Sequence, residues 1–140
     1  MNRVKEIRNR LTPLFKQEKS IIFVYIFGST TQGTTNFESD VDIAVYLDKK
    51  RAGDFFKKRL FLIEKVQSLL KRPTEIVVLN EVNSIFFKFV IIKEGKVIFE
   101  RDHGKRVDFE LKIMQEYYDF QPFLDEYNKS YLQRSLEKYS

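Results

Sequence analysis

Four short apolar segments, separated by stretches with helical spacing, constrain the fold of this chain more than any other feature. The segments are IIFVYIF at 21–27, VDIAVYL at 41–47, EIVVLN at 75–80 and KVIFE at 96–100. Their β-branched and aromatic residues favour strands, and polar residues or glycine bound them. Strands that alternate with helices predict an α/β fold, in which a sheet is covered by helices.

The intervening segments carry the signals of helices. Apolar residues from Val4 to Leu14 recur every three to four positions, and residues 54–70 show similar spacing until Pro73 ends them. The Phe, Val and Ile residues of IFFKFVIIK would suit a strand, but Asn83-Ser84 offers a helix cap before it and Glu94-Gly95 a stop after it, so we interpret it as a helix. The tail predicts one helix from Val107 to about residue 120, a break at Pro122 and a second helix to about residue 138.

Composition excludes several kinds of site. The 140 residues include no cysteine and a single histidine, His103, so a disulfide, a cysteine-based zinc site and a thiol nucleophile are ruled out. The longest apolar run, 21–27, is far shorter than the roughly 20 residues of a membrane-spanning helix. Charges interrupt the apolar residues of the N-terminal segment, unlike those of a signal peptide. We therefore expect a cytoplasmic protein that does not contact a membrane.

The charge is unevenly distributed along the chain. Residues 1–106 hold 21 basic and 13 acidic side chains, a net charge of 21 − 13 = +8, whereas residues 107–140 hold 4 and 7, a net charge of −3. A basic body attracts nucleoside triphosphates, nucleic acids and acidic protein surfaces alike. The basic residues are not interleaved with a recognisable aromatic platform, so we do not expect direct binding of nucleic acid.

The segment FGSTTQGTTNFESDVDIAVY, at 27–46, carries the chemistry. Alternate residues of a strand point to the same side, so Asp40 and Asp42 lie on one face, about 6.6 Å apart along the chain. A hard divalent cation such as Mg²⁺ offsets the repulsion between two such carboxylates. Gly28 allows the backbone to approach a ligand, and the Ser29 hydroxyl suits a phosphate oxygen. An isolated pair of aspartates before a strand is often only a turn, but the Gly-Ser pair favours a site for metal and phosphate.

Gly28-Ser29, ten further residues and Asp40-Val41-Asp42 resemble the signature of the nucleotidyltransferases related to DNA polymerase beta, and the small size resembles their minimal (MNT) branch. The tail FELKIMQEYYDFQPFLDEYN is similar to that of MntA-type antitoxins, which pair with HEPN-domain ribonuclease toxins. The resemblance implies a nucleotidyltransferase fold, with a small mixed sheet flanked by helices and with C-terminal helices. The length and composition predict a single domain. Within it, we expect residues 1–106 to be the core and residues 107–140 to be an extension packed on the core or on a partner.

The same resemblance implies roles for individual residues. Gly28 and Ser29 would bind the phosphates of a nucleoside triphosphate, and Asp40 and Asp42 would be catalytic and bind Mg²⁺ or Mn²⁺. A third carboxylate on a later strand normally completes the site, and the best candidate is Glu75, as a metal ligand or as the base for the attacking hydroxyl. The family usually has aspartate there. The glutamate side chain is one methylene longer than that of aspartate and could displace the carboxylate, and a displacement near 1 Å in a catalytic group costs about 100-fold in rate.

The resemblance implies an antitoxin that transfers AMP from ATP to a tyrosine of a HEPN toxin and so silences it. Two alternatives stay open from the residues alone. One is a protein that inhibits its toxin by contact without catalysis. The other is a nucleotidyltransferase that modifies a small molecule, although the chain has little room for a separate substrate domain.

Overall fold

The structure is a computed structural model that describes residues 3–28 and 40–139, with side chains through residue 123 and for Glu126. Its helices are α1 (Arg3–Gln17), α2 (Lys49–Ala52), α3 (Phe55–Leu70), α4 (Ile85–Glu94) and α5 (His103–Tyr139), and a 3₁₀ turn spans Leu79–Glu81. Its strands are β1 (Ile21–Phe27), β2 (Val41–Leu47), β3 (Thr74–Val78) and β4 (Lys96–Glu100). The four predicted strands are confirmed, except that the third spans Thr74–Val78 instead of 75–80.

The strands form one mixed sheet in the order β3-β2-β1-β4. β1 pairs antiparallel with β2 and with β4, whereas β2 and β3 are parallel. The C-terminal end of β1 therefore lies at the same edge as the N-terminal ends of β2 and β3. The predicted α/β class, with a small mixed sheet flanked by helices, is confirmed.

Both faces of the sheet are buried, which explains why β1 is apolar without alternation. On one face, Leu11 and Phe15 of α1 and Leu62 of α3 pack against strand residues that include Val24 and Ile43. On the other face, Ile91 of α4 and Phe109 of α5 pack against Phe23, Tyr25 and Ala44. The second face is the one to which the side chain of Asp42 belongs, because residues 42 and 44 alternate together along β2.

Side-chain caps begin both α3 and α4, and the cap of α4 at Ser84 is the one that the sequence predicts. The Asp54 carboxylate accepts hydrogen bonds from the backbone N–H groups of Phe56 and Lys57, at 2.9 and 3.2 Å. The Ser84 hydroxyl accepts one from the N–H of Phe87 at 3.1 Å. These bonds satisfy donors that the first turn of a helix leaves without partners. The Ser84 cap confirms that IFFKFVIIK is helical despite its β-branched residues.

The prediction of two C-terminal helices separated at Pro122 is wrong. A single helix of 37 residues, α5, begins at His103 rather than Val107 and continues through Pro122 to Tyr139. Proline removes one backbone hydrogen bond and crowds one preceding carbonyl, at a cost of about 3 kcal/mol, but helix-forming residues on both sides sustain the remaining turns. α1 likewise contains Pro13 in its interior.

Tyr117 and Tyr118 both contact Phe89 of α4, but in different ways, since Tyr118 meets that ring edge to face with 6.0 Å between centroids. The Tyr117 ring stacks on Phe89 of α4, with 3.7 Å between ring centroids, whereas Tyr118 is 57% exposed.

Across the described part of the chain, none of the helices has the length and apolarity needed to span a membrane.

Candidate functional site

The candidate site lies at the sheet edge where β1 ends and β2 and β3 begin. Phe27 of β1 is the register partner of Asp42 of β2, and Asp42 is the register partner of Glu75 of β3. Residues directly opposite each other in neighbouring strands share a face of the sheet. Phe27, Asp42 and Glu75 therefore form a row across three strands on the α4 side. Asp40 is exposed and lies immediately before β2.

Gly28 is pressed against the Asp42 carboxylate. Its backbone has a φ of +76°, which side chains rarely adopt, and a Cβ placed on it would overlap Oδ2 of Asp42. Two separate constraints therefore favour glycine at this position: the backbone conformation and the proximity of the Asp42 carboxylate. The structure places Gly28 in the site with Asp42, as the sequence predicts. Ser29, the other predicted nucleotide-binding residue, lies outside the described residues.

The electrostatics show that the carboxylates interact. Burial raises the pKa of the Asp42 carboxyl above its ordinary value, and the charges of Glu75 and Asp40 raise it further. Like charges on neighbouring carboxylates disfavour simultaneous ionisation. The site therefore has an excess of negative charge, which a bound cation reduces.

The donor chemistry fits a hard divalent cation, because Mg²⁺ and Mn²⁺ prefer carboxylate oxygens. Within residues 3–28 and 40–123, however, no group of three or more His, Asp or Glu side chains is arranged to hold a metal ion. The sheet brings Glu75 beside Asp42 in register, yet its exposed side chain does not complete such a group. Asp40, Asp42 and Glu75 all have the chemistry of the predicted metal ligands, and the strand register places the backbone of Glu75 beside that of Asp42.

An aromatic pair beside the carboxylates was missed by sequence reasoning. The rings of Phe27 and Phe87 meet edge to face, with 5.9 Å between centroids. Phe87 is 36% exposed, and its neighbour Phe86 is 59% exposed. The sequence held a partial signal, since the Ser84 cap places both rings in the first turn of a helix. It did not show that this turn lies over the end of β1.

A cavity of about 720 Å³ lies at the opposite end of the sheet. Leu47, the last residue of β2, and Asp48, which follows it, line the cavity together with residues of α5. Asp48 is six residues along the chain from Asp42, about 20 Å away in an extended conformation. Of the predicted site residues that the structure describes, none lines this cavity.

Comparison with known proteins agrees with the geometry. The family model described as polymerase beta, nucleotidyltransferase matches residues 9–104, a range that contains both the row of carboxylates and Gly28. The chain belongs to this nucleotidyltransferase family. No curated protein matches the sequence.

Solved structures extend the likeness beyond the family domain. A chain of a toxin–antitoxin crystal structure with AMP-PNP is 25% identical, with a TM-score of 0.68; the match covers 85% of this chain and 96% of that one. A chain of the complex of tri-AMPylated Shewanella oneidensis HEPN toxin with MNT antitoxin is 21% identical, with a TM-score of 0.65, and the match covers 88% and 97%. A chain of a MntA-HepT toxin–antitoxin structure is also 21% identical, with a TM-score of 0.63 and coverage of 86% and 96%. The similarity to MNT antitoxins confirms the resemblance.

Proposed function

We propose that this chain is the antitoxin of a toxin–antitoxin pair, and that it transfers AMP from ATP to a tyrosine hydroxyl of a HEPN-domain ribonuclease toxin. The observation that carries the proposal is the row of Asp42 and Glu75, with Asp40 and Gly28 beside it, in a chain of the nucleotidyltransferase family. The likeness to a toxin–antitoxin structure that holds AMP-PNP supports the use of ATP and the nature of the partner.

In the proposed reaction, the tyrosine oxygen forms a bond to the α-phosphorus of ATP. The bond between the α-phosphorus and the oxygen bridging to the β-phosphate breaks, and pyrophosphate leaves. Gly28 allows the phosphate chain to approach the backbone, and Ser29 is assigned a hydrogen bond to it. Glu75, exposed at the edge of the site, accepts the proton of the hydroxyl.

Asp40 and Asp42 are the residues that would hold Mg²⁺ or Mn²⁺, with Glu75 as the third candidate. When bound, the cation neutralises charge on the transferring and leaving phosphates. The protein also holds the reacting groups in position. The backbone of Asp42 is fixed from both sides, because β2 pairs with β1 on one side and with β3 on the other.

One observation favours a second candidate function, inhibition of the toxin by contact alone. Among the described residues, Glu75 stands where the family usually has aspartate and does not complete a three-carboxylate group. An antitoxin with a misplaced third carboxylate could retain nucleotide and partner binding while transfer slows.

The test is incubation of the purified protein with the product of the neighbouring gene, ATP and Mg²⁺, followed by intact mass of both proteins. We expect the partner to gain one or more AMP units, and Asp40→Asn with Asp42→Asn to abolish the gain. The matched control is Asp48→Asn with Asp54→Asn. It removes the same charge at two helix caps, where asparagine caps as well as aspartate.

Two results would separate the candidates. If the partner binds and is inhibited but its mass never changes, the protein acts by contact. If the double variant at Asp40 and Asp42 still transfers AMP as well as the control, the carboxylate row is not the catalytic site.

A further inference from the structure

The aromatic pair of Phe27 and Phe87 lies beside the carboxylates, at the same end of the sheet. Phe27 is adjacent in the row to Asp42 and precedes Gly28, the residue assigned to the phosphates. The Phe87 ring contacts Phe27 edge to face and remains one-third exposed. Aromatic surface thus begins one strand away from the carboxylates, on the face of the sheet to which they belong.

We propose that Phe27 and Phe87 form the wall on which the purine ring of the nucleotide stacks. This inference rests on the proposed function, because it assumes that a nucleoside triphosphate binds with its phosphates at Gly28 and the carboxylates. It goes further by assigning the base to particular side chains of this chain.

The local structure holds the Phe87 ring in place before any ligand binds. The Ser84 hydroxyl accepts a hydrogen bond from the Phe87 N–H, which fixes the backbone of the first turn of α4. The contact with Phe27 restrains the ring itself. A restrained, partly exposed ring can stack on a flat ligand with little further loss of side-chain entropy.

The chemistry of the pair also defines its selectivity. Phenyl rings carry no hydrogen-bonding group, so they do not read the edge of a base. Stacking depends on the area of the flat surface, and a purine offers more area than a pyrimidine. The wall therefore favours ATP and GTP over CTP and UTP, without separating ATP from GTP.

The test is the affinity of Phe87→Ala for two probes, MgATP and Mg-tripolyphosphate, measured by isothermal titration calorimetry. Tripolyphosphate has the phosphates of ATP but no base. We expect the variant to bind ATP about 10- to 100-fold more weakly, the range of one aromatic stacking contact, and to bind tripolyphosphate as the wild type does. Phe87→Trp retains a stacking surface and should keep tight ATP binding, whereas Phe87→Leu should not.

The matched control is Phe86→Ala, which removes the same atoms from the neighbouring and more exposed residue. It should leave both affinities unchanged. The preference of the wild type for ATP over CTP should also shrink in Phe87→Ala and persist in Phe86→Ala.

Each other outcome has a definite meaning. Equal weakening of both probes in Phe87→Ala, or weakening of neither, overturns the inference. If only the partner concentration needed for half-maximal transfer rises, the ring contacts the acceptor instead, and the inference is also overturned. A wild type that binds neither probe overturns nucleotide use altogether. If ATP affinity falls as expected but no AMP reaches the partner, the inference stands and the proposed transfer fails.

Discussion

At the scale of single residues, Gly28 joins backbone conformation to the chemistry of the site. Its positive φ and its contact with Asp42 are separate constraints on this position. A second glycine, Gly53, also has a positive φ but has no neighbouring side chain that a Cβ would displace. Gly53 has a φ of +67°, and a Cβ built on it meets nothing within 4 Å. The two positions therefore distinguish backbone strain from displacement of a carboxylate.

We predict that Gly28→Ala lowers AMP transfer by at least about 100-fold, because the new methyl group forces the Asp42 carboxylate to move. Gly53→Ala should lower the melting temperature by a similar amount, since both alanines adopt an unfavourable φ, while transfer is retained. Transfer is measured as AMP incorporation, and stability by circular dichroism. Equal loss of transfer in both variants would show that Gly28 acts through stability alone.

At the scale of the elements, two side-chain clusters attach the helices to the sheet. Arg101, just after β4, donates hydrogen bonds to the carbonyls of Phe15 and Lys16 at the C-terminal end of α1, at 2.7 and 3.2 Å, and to that of Ile21 at 2.9 Å. The last carbonyls of a helix have no partners within it, so one guanidinium both caps α1 and joins it to β1.

We predict that Arg101→Ala lowers the free energy of unfolding by about 1–3 kcal/mol, because carbonyls that the guanidinium satisfies lose a charged donor. Arg101→Lys should recover only part of this, since an ammonium lacks the planar fork that reaches several carbonyls. Urea denaturation measures the change. A variant with lysine as stable as the wild type would show that charge, not geometry, is what α1 requires.

The second cluster joins β1, β4 and α5. Tyr25 donates a hydrogen bond to Glu110 at 3.0 Å, Arg106 pairs with both Glu110 and Glu100, and His103 contacts Glu100 at 2.9 Å. The hydrogen bond from Arg106, and then that from His103, lowers the pKa of Glu100 below its ordinary value of 4.5. A lowered pKa in the folded state means that the ionised form stabilises the fold.

The stability contribution of Glu100 is therefore present above pH 4.5 and is lost as the pH falls through the lower pKa of the folded state. We predict that Glu100→Gln melts at a lower temperature than the wild type at pH 7, and that the difference shrinks as the pH falls below about 4. Glu64→Gln, an exposed change on α3, should show little difference at any pH. A difference for Glu100→Gln that is independent of pH would contradict the assignment.

At the scale of the whole molecule, α5 carries both packed and exposed aromatic residues. Its first half completes the second core, where Phe109 packs on Phe23 and Tyr46 with ring centroids 5.4 and 5.2 Å apart. Tyr117 extends this contact to α4. Beyond it, Phe123 is 70% exposed. The first half of the extension that was predicted to begin at residue 107 therefore packs into the core of the domain.

We predict that a chain ending at residue 123 stays folded and binds ATP as the full chain does, because the contacts of Phe109, Ile113 and Tyr117 remain. A chain ending at residue 106 should not fold stably, since it exposes the apolar surface around Tyr25. Thermal melts and calorimetry distinguish the two truncations. If the chain ending at residue 123 binds ATP but no longer binds the partner, the distal half of α5 belongs to the partner interface.

Local patterns in the sequence determined most of the elements and the residues of the motif. The strands were predictable because β-branched and aromatic residues cluster between polar boundaries, and α4 was predictable because Ser84 caps it. Asp40, Asp42, Gly28 and Ser29 could be proposed as site residues because the motif that they form is local in sequence. Pro122 misled the prediction because the cost of one proline is smaller than the gain from continuing the helix on both sides.

Only the tertiary structure decided which residues meet across the sheet. The row of Phe27, Asp42 and Glu75 depends on the strand order β3-β2-β1-β4 and on parallel pairing of β2 with β3, which no local pattern specifies. The place of Phe87 over the end of β1 likewise depends on how α4 packs. Sequence spacing determines which chemical groups the chain carries, whereas long-range pairing and packing determine which of those groups meet at one site.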